Sequence, residues 1–280
     1  MSKNIVFYVS IGVSLVAIAL AGYTYYDMAH QPTTLPAIVD EPKPVVTDLP
    51  EAEAAPISAS ATFDISDGKL LAIDGTLALK HNDEYVSVAL PETATDVEYY
   101  EDQGYLSWAE DGGHITVSAI SAADIESNYA HEFESDDDKL IIGVKRITED
   151  TGINIVANVS DKDKAESIQQ IANAVCESIS ACSGMDVSLC GLTVNHDWSV
   201  SMAKSVLCLS NGDDRVTASA YADSIDGAGF DDSIDIAGNS FMYGDYKDSE
   251  MNYAPYMYGT GNGLLKVMAT SKDVLESVFS

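Results

Sequence analysis

The stretch "TLALKHNDEYVSVAL", residues 76–90, contains two short runs in which apolar and polar side chains alternate, one on each side of Asn82 and Asp83. Alternation with a period of two predicts β-strands that are buried on one face. Similar runs, separated by Asp, Asn and Gly, recur as "HITVSAI" (114–120), "LIIGVKRI" (140–147) and "INIVANV" (153–159). The chain from residue 61 onward is therefore predicted to be rich in strands.

Two segments between or after these runs carry helical signals. In "SAADIESNYAHEF" (121–133), Ser121 and Asp124 fit a capping box and apolar residues recur every four positions, which predicts a short helix. A second helix is predicted after Ser160, where one apolar stripe is formed by Ile168, Ile171, Ala172, Val175, Cys176 and Ile179. The resulting prediction is an α+β fold, with antiparallel sheets and helices packed against them.

The order of these segments recurs in the second half of the chain. "GLTVNHDWSVSMA" echoes "GTLALKHNDEYVSVAL", and later segments match at similar but unequal offsets, as a duplication with insertions would give. The matched positions are Gly75 with Gly191, Ala119 with Ala220, and Ser160 with Ser271. We predict two related tandem domains, residues 61–183 and 184–280; chance similarity between short strands is the alternative.

The element order over residues 70–180, and more loosely over 190–280, resembles that of the PsbP-like family of α/β/α sandwich domains. Such domains occur in bacterial envelope proteins, sometimes as membrane-anchored accessories. The resemblance implies a binding or assembly-assisting domain without catalytic machinery.

The N-terminal segment, residues 1–26, has the length and composition of a membrane span. No charged residue occurs from Asn4 to Tyr26, close to the roughly 20 residues that cross a bilayer as a helix. Lys3 precedes the segment, which predicts a cytoplasmic N-terminus and an extracytoplasmic remainder. We expect a single-pass signal-anchor in the cytoplasmic membrane, with periplasmic or extracellular domains.

A cleaved signal peptide is the alternative, because Ala19 and Ala21 supply the small residues of a cleavage site. Retention of the anchor is favoured by tyrosines at the outer interface and by the segment that follows. Residues 27–60 hold six of the eight prolines, which predicts an extended linker.

The charge balance is strongly acidic: 45 Asp and Glu against 14 Lys and Arg, a net charge of −31. Such a surface repels phosphate backbones, so nucleic acid is excluded as a partner. The charge suits a cationic partner or divalent ions, and it also suits solubility in high salt.

Four cysteines lie close together in a chain that is expected to be exported, and in an oxidising compartment they are expected to form disulfides. They are Cys176, Cys182, Cys190 and Cys208. Three connectivities exist, of which the local one, Cys176 with Cys182 and Cys190 with Cys208, is favoured. Their spacing lacks a C-x-x-C pair, which argues against a zinc site.

Two loops are candidate binding sites. The glycine-containing segment "ADSIDGAGFDDSID" offers carboxylates of the kind that calcium prefers, although it lacks the spacing of an EF-hand. Its candidate calcium ligands are Asp223, Asp226, Asp231, Asp232 and Asp235; a solvated acidic loop is the alternative. The segment "MNYAPYMYGTGNG" offers aromatic and methionine side chains for partner contacts, namely Tyr253, Tyr256, Met257 and Tyr258. Packing of these side chains in the core is the competing interpretation.

No catalytic motif is predicted. Ser201 and Lys204 match the S-x-x-K pattern of serine acyl-enzymes, but they fall in an alternating strand pattern, which separates two residues three apart. We therefore expect a membrane-anchored, non-enzymatic accessory protein of a bacterial envelope that binds another envelope protein or cell-surface component. The alternative is a secreted or periplasmic protein that binds a cation or small ligand.

Overall fold

The computed structural model describes residues 58–125, 129–134, 139–221, 230, 232–244 and 253–279, with the backbone alone at 129–134 and 139. Contacts divide the chain into residues 1–53 and 54–280, and all described residues belong to the second unit. Among the described residues, no helix is long and apolar enough to span a membrane. The predicted anchor, residues 1–26, lies outside them, as does most of the predicted linker.

The described part of the chain forms nineteen strands and two α-helices. The strands are β1 (Ala59–Ser66), β2 (Lys69–His81), β3 (Glu84–Ala89), β4 (Thr95–Tyr100), β5 (Tyr105–Glu110), β6 (Gly113–Ser121), β7 (Tyr129–Glu134), β8 (Lys139–Arg146), β9 (Thr151–Val159), β10 (Ser180–Cys182), β11 (Met185–Leu189), β12 (Leu192–Val194), β13 (Ser199–Ala203), β14 (Val206–Asn211), β15 (Asp214–Tyr221), β16 (Asp232–Ile236), β17 (Asn239–Tyr243), β18 (Ala254–Thr260) and β19 (Gly263–Ala269). The helices are α1 (Ala165–Ser178) and α2 (Lys272–Val278). Short 3₁₀ turns occur at Glu101–Gln103, Ala122–Asp124 and Lys162–Lys164.

The strands form two sheets. The small sheet has the order β10-β3-β2-β1-β11-β12, and the large one has the order β16-β17-β18-β19-β15-β14-β13-β4-β5-β6-β9-β8-β7. Strands β1 and β11 pair in parallel, whereas the other described pairs are antiparallel. The predicted boundary between residues 183 and 184 lies inside residues 54–280, and strands from both sides of it share both sheets.

Read outward from β4 and β13, the two halves of the large sheet have the same strand order, except that β16 adds a seventh strand to the second half. Each begins with a three-stranded meander, β4–β6 or β13–β15, and a later strand, β9 or β19, returns to pair with the third strand of that meander. A helix follows that strand in each half. Ala119 and Ala220 lie in the matching strands β6 and β15; Ser160 directly follows β9, and Ser271 is the second residue after β19. The division into two tandem domains stays a prediction.

The prediction of an α+β fold with packed helices is wrong, because the described residues form a sheet-rich fold with only two α-helices. Most of the difference lies in residues 121–133. Here Ser121 caps a 3₁₀ turn, its Oγ accepting a hydrogen bond from the Ala123 amide at 3.3 Å, and the chain continues as β7. Apolar residues four apart fit two periods of a strand as well as one turn of a helix, so their spacing does not discriminate.

The second predicted helix is confirmed as α1, which buries Ile168, Ala172 and Val175. Helix α1 packs against β9 and β3, and α2 packs against β15 and β19. The buried side chains of the two sheets and both helices form one hydrophobic cluster. Its largest fully buried members include Trp108, Tyr99 and Phe63.

The two halves of the large sheet meet at a narrow joint between β4 and β13. Only two residue pairs form this ladder, Tyr100 with Ser201 and Tyr99 with Met202. The Tyr99 side chain is fully buried, and its hydroxyl donates a hydrogen bond to the Ala78 carbonyl oxygen of β2 at 2.6 Å. The same tyrosine therefore connects the joint to the small sheet.

Candidate functional site: the joint cavity

A buried carboxylate lies where the β4–β13 ladder ends. After Tyr100 the chain turns through Glu101–Gln103 and leaves the turn at Gly104, whose φ of 58° is left-handed. The next ladder position would oppose Glu101 to Val200. The Glu101 side chain instead folds back, and its Oε2 accepts a hydrogen bond from the Val200 amide at 2.8 Å. A side-chain carboxylate thus replaces a main-chain carbonyl as the acceptor at the end of the joint.

Burial determines the charge state of this carboxylate. Glu101 is 8% exposed, and loss of hydration raises its pKa from 4.5 to about 7. The Val200 hydrogen bond opposes this shift, Asp102 adds to it by repulsion, and Lys80 opposes it by attraction. The protonation of Glu101 therefore changes near neutral pH.

Glu101 borders a cavity of about 360 Å³, which we call the joint cavity. It is lined by Ser58, Tyr85, Glu101, Ser183, Gly184, Met185, Asp186, Val187, Val194, Asn195, His196, Trp198 and Val200. Two of these residues are carboxylates and one is a histidine. The described lining therefore offers two acidic groups and no lysine or arginine.

Two turns form the walls of the joint cavity. The turn from β10 to β11 is anchored by a hydrogen bond of 2.9 Å from the Ala59 amide to the Gly184 carbonyl oxygen, and Gly184 has a φ of 133° that favours glycine. The turn from β12 to β13 is organised by Asn195, whose Oδ1 accepts from the Asp197 amide at 3.0 Å. This turn brings the buried Trp198 to the cavity.

The joint cavity combines acidic, aromatic and apolar side chains. Met185, Val187 and Val194 supply the apolar part of a lining whose exposed surface is mostly polar, and Glu101 supplies a largely dehydrated carboxyl group. Attraction between charges is stronger in such an environment than in water. Among the described residues, no group of three or more His, Cys, Asp and Glu is placed to hold a metal ion.

The candidate calcium ligands are only partly within the described residues. Asp223, Asp226 and Asp231 lie outside them. Asp232 and Asp235 are exposed on β16 and, being three positions apart on a strand, lie on opposite faces. The Asp235 Oδ1 accepts from the Gly238 amide at 3.1 Å, so it has a role in the β16–β17 turn. The calcium site stays a prediction.

The predicted aromatic contact loop lies mostly in β18, between β17 and β19. Tyr256 and Met257 are buried, whereas Tyr253 and Tyr258 are half-buried. The Tyr258 ring packs with its centroid 5.0 Å from that of Phe241. Core packing therefore already uses part of this set, and a partner contact here stays a prediction.

All four cysteines are free thiols in the structure. Cys182 and Cys190 are buried, and burial raises the pKa of both; Asp64 beside Cys190 contributes to its pKa of about 12. Burial also raises the pKa of Cys176, at the end of α1. Cys208 is half-buried on β14. The disulfides and their connectivity stay predictions.

Ser201 and Lys204 do not form a nucleophile and base. Ser201 lies on β13, where its Oγ donates to the Cys208 carbonyl oxygen at 3.4 Å. Lys204 follows the strand in a left-handed turn position with a φ of 51°.

The sequence analysis missed Glu101. Its local sequence, "YYEDQG" from residue 99 to 104, looks like a strand that ends in an exposed acidic turn. The available signal was an acidic residue directly after two tyrosines and three positions before a glycine. This pattern places Glu101 at a strand end but does not reveal its burial.

Comparisons of the chain with protein-family models, with curated proteins and with solved structures found no match. The PsbP-like resemblance accordingly stays a prediction, and function is argued below from the residues and geometry of this chain.

Proposed function

We propose that the chain is a membrane-tethered binding protein on the extracytoplasmic side of a bacterial envelope, and that it acts through contacts with another envelope component. The observation that carries this proposal is the order of three parts: an apolar segment, a proline-rich segment, and a compact unit that begins at residue 54. This order suits a tether that holds a folded binding unit away from the bilayer.

The charge of the chain indicates the chemistry of the partner. A net charge of −31 favours association with a basic protein surface, because complementary potentials speed encounter and suppress like-charged partners. Salt screens such attraction. The partner is therefore expected to be an envelope protein with a basic contact surface.

Topology and partner binding are tested separately. Alkaline phosphatase fused to the C-terminus is expected to be active, and full-length protein is expected to stay in membranes after carbonate extraction; a fluorescent cytosolic reporter at the same position would contradict the tether. For the partner, complexes are first isolated from crosslinked cells. The same complex is then isolated without crosslinking and washed at low and at high ionic strength. The partner is expected to be released at high salt and to be retained at low salt and in the control wash with a neutral osmolyte. Retention of the partner at high salt argues against a basic contact surface.

The joint cavity favours a second candidate function, the binding of a small cationic ligand. Its acidic lining and its size suit a small molecule, since ligand sites usually have volumes of about 300–1,000 Å³. The test is the melting temperature of the purified full-length chain with and without Ca²⁺ or organic cations. A saturable rise supports ligand binding. An unchanged midpoint with every cation removes this second function.

A further inference from the structure

We propose that the joint cavity binds a small organic monocation, with the ammonium group beside the Glu101 carboxylate and the apolar portion against Met185, Val187 and Val194. This proposal rests on the second candidate function above and names the class of ligand.

The Glu101 carboxylate has room for a further partner. Among the described residues, the only hydrogen bond to this carboxylate comes from the Val200 amide, to Oε2. Lys80 pairs with Asp102, with 3.5 Å between Nζ and Oδ1, and it does not line the joint cavity. Attraction to Lys80 offsets only part of the cost of burying the Glu101 carboxylate, because protein groups only partly replace its hydration. An ammonium group in the cavity would supply an opposite charge and up to three hydrogen-bond donors.

The cavity suits an organic cation better than a metal ion. Calcium takes six to eight oxygen ligands at about 2.3–2.6 Å, and the described residues contain no cluster of three acidic, histidine or cysteine ligands for it. The volume of about 360 Å³ leaves space for several carbon atoms beside the apolar side chains. These properties match a ligand with one charged end and one apolar end.

Aromatic side chains add a second attraction for an ammonium group. Tyr85 and Trp198 line the same cavity as Glu101, and the Lys80 Nζ already lies 5.7 Å from the centroid of the Tyr85 ring. Aromatic faces attract cations electrostatically, and this attraction strengthens when the cation is dehydrated. A neutral ligand of equal size would gain the apolar contacts but neither the aromatic nor the carboxylate attraction. Preference for the charged form is therefore the defining property of the proposed site.

The tryptophans provide a built-in readout. The chain has two, of which Trp198 lines the joint cavity, whereas Trp108 is fully buried and donates from Nε1 to the Glu110 Oε1 at 2.8 Å. The two indole N–H signals of the full-length chain in neutral detergent are followed by NMR during titration. The probes are n-butylammonium, its neutral analogue n-butanol, and Ca²⁺.

We expect n-butylammonium to shift the Trp198 signal saturably and to leave the Trp108 signal in place. Affinity for n-butanol is expected to be lower by about tenfold or more, as the loss of a charge-assisted hydrogen bond implies. Glu101→Gln is expected to lower affinity for n-butylammonium by a similar factor while the Trp108 signal reports an intact fold. Glu92→Gln, which removes one exposed carboxylate in the β3–β4 connection, is the matched control and is expected to bind as the native chain does.

Three results would overturn the proposal. They are equal affinity for n-butanol and n-butylammonium, full affinity in Glu101→Gln, or a Trp198 shift with Ca²⁺ alone. Each of these leaves the joint cavity as a ligand site of another class. No shift with any probe overturns the ligand site as well, whereas the tether and the partner protein are tested independently in cells.

Discussion

Replacing Glu101 with glutamine is expected to stabilise the protein at alkaline pH and to leave its stability almost unchanged at acidic pH. The carboxyl has a pKa of about 7 in the folded chain, against 4.5 for its ordinary value. The folded state binds this proton more tightly than the unfolded state does, so protonation of Glu101 stabilises the folded chain relative to its ionised form. This contribution is fully present below pH 4.5. That contribution is lost as the pH rises through 7.

The magnitude follows from the size of the shift. Each pKa unit corresponds to about 1.4 kcal/mol, so ionisation of Glu101 costs the folded state about 3 kcal/mol above neutral pH. Glutamine carries no charge at any pH, and its side-chain oxygen can accept the Val200 hydrogen bond. The variant is therefore expected to gain up to about 3 kcal/mol at alkaline pH, which corresponds to a melting temperature higher by roughly 6–12 °C for a unit of this size.

The assay is urea unfolding of the full-length chain at about pH 5 and about pH 8, on either side of most of the titration. Glu92→Gln serves as the control, because it removes one exposed negative charge from a chain of net charge −31 and so measures the general relief of repulsion. The difference between Glu101→Gln and the native chain must grow from pH 5 to pH 8, and beyond the change seen with Glu92→Gln. An equal difference at both pH values would refute the role assigned to burial.

Three further predictions concern stability and reactivity. Tyr99→Phe removes a buried hydroxyl that donates to a main-chain carbonyl of β2, and urea unfolding is expected to show a loss of about 1–2 kcal/mol. Gly75→Ala places a Cβ against the Ser60 carbonyl oxygen at a φ of +108°, so thermal melting is expected to show a much larger loss than for Gly238→Ala, where φ is +78° but no atom lies within 4 Å. Equal losses of stability in the two variants would show that backbone strain at positive φ, and not the contact with Ser60, determines the loss. Cys190, buried with a pKa of about 12, is expected to react with iodoacetamide at neutral pH only after unfolding, as mass spectrometry of the modified peptide can show.

The sequence predicts correctly those elements whose apolar pattern fits either the period of a strand or that of a helix, but not both. The runs at 76–81 and 84–90 alternate over part of their length on either side of Asn82 and Asp83, and they fall in the end of β2 and in β3. The stripe of α1 combines spacings of three and four residues, which a strand cannot place on one face. Residues 125, 129 and 133 are four apart, and this spacing fits either structure. Pairing across the chain decided between the two there, because β7 extends the large sheet beyond β8.

The joint cavity could not be predicted because its members are distant in the sequence. The hydrogen bond between Glu101 and Val200 spans 99 positions, and no local pattern specifies it. The cavity walls come from two turns that look like ordinary polar connections, around Gly184 and Asn195. An acidic residue at a strand end is usually solvated, so composition and periodicity both favour an exposed Glu101.

The position of Glu101 gives a physical reason to connect the fold with the proposed site. The β4–β13 ladder ends after two pairs, and the Val200 amide beyond it needs an acceptor. A neutral amide side chain would satisfy that need without the cost of about 3 kcal/mol that ionisation of a buried carboxylate adds above neutral pH. Glu101 lowers stability in its charged form and borders a cavity whose described lining holds no lysine or arginine. A cationic ligand in the cavity would account for it by offsetting the cost of the charge. Glu101→Gln should then gain stability and lose affinity for n-butylammonium. If it instead kept the native stability and the native affinity, the structural role of Glu101 at the joint would be unrelated to ligand binding in the cavity.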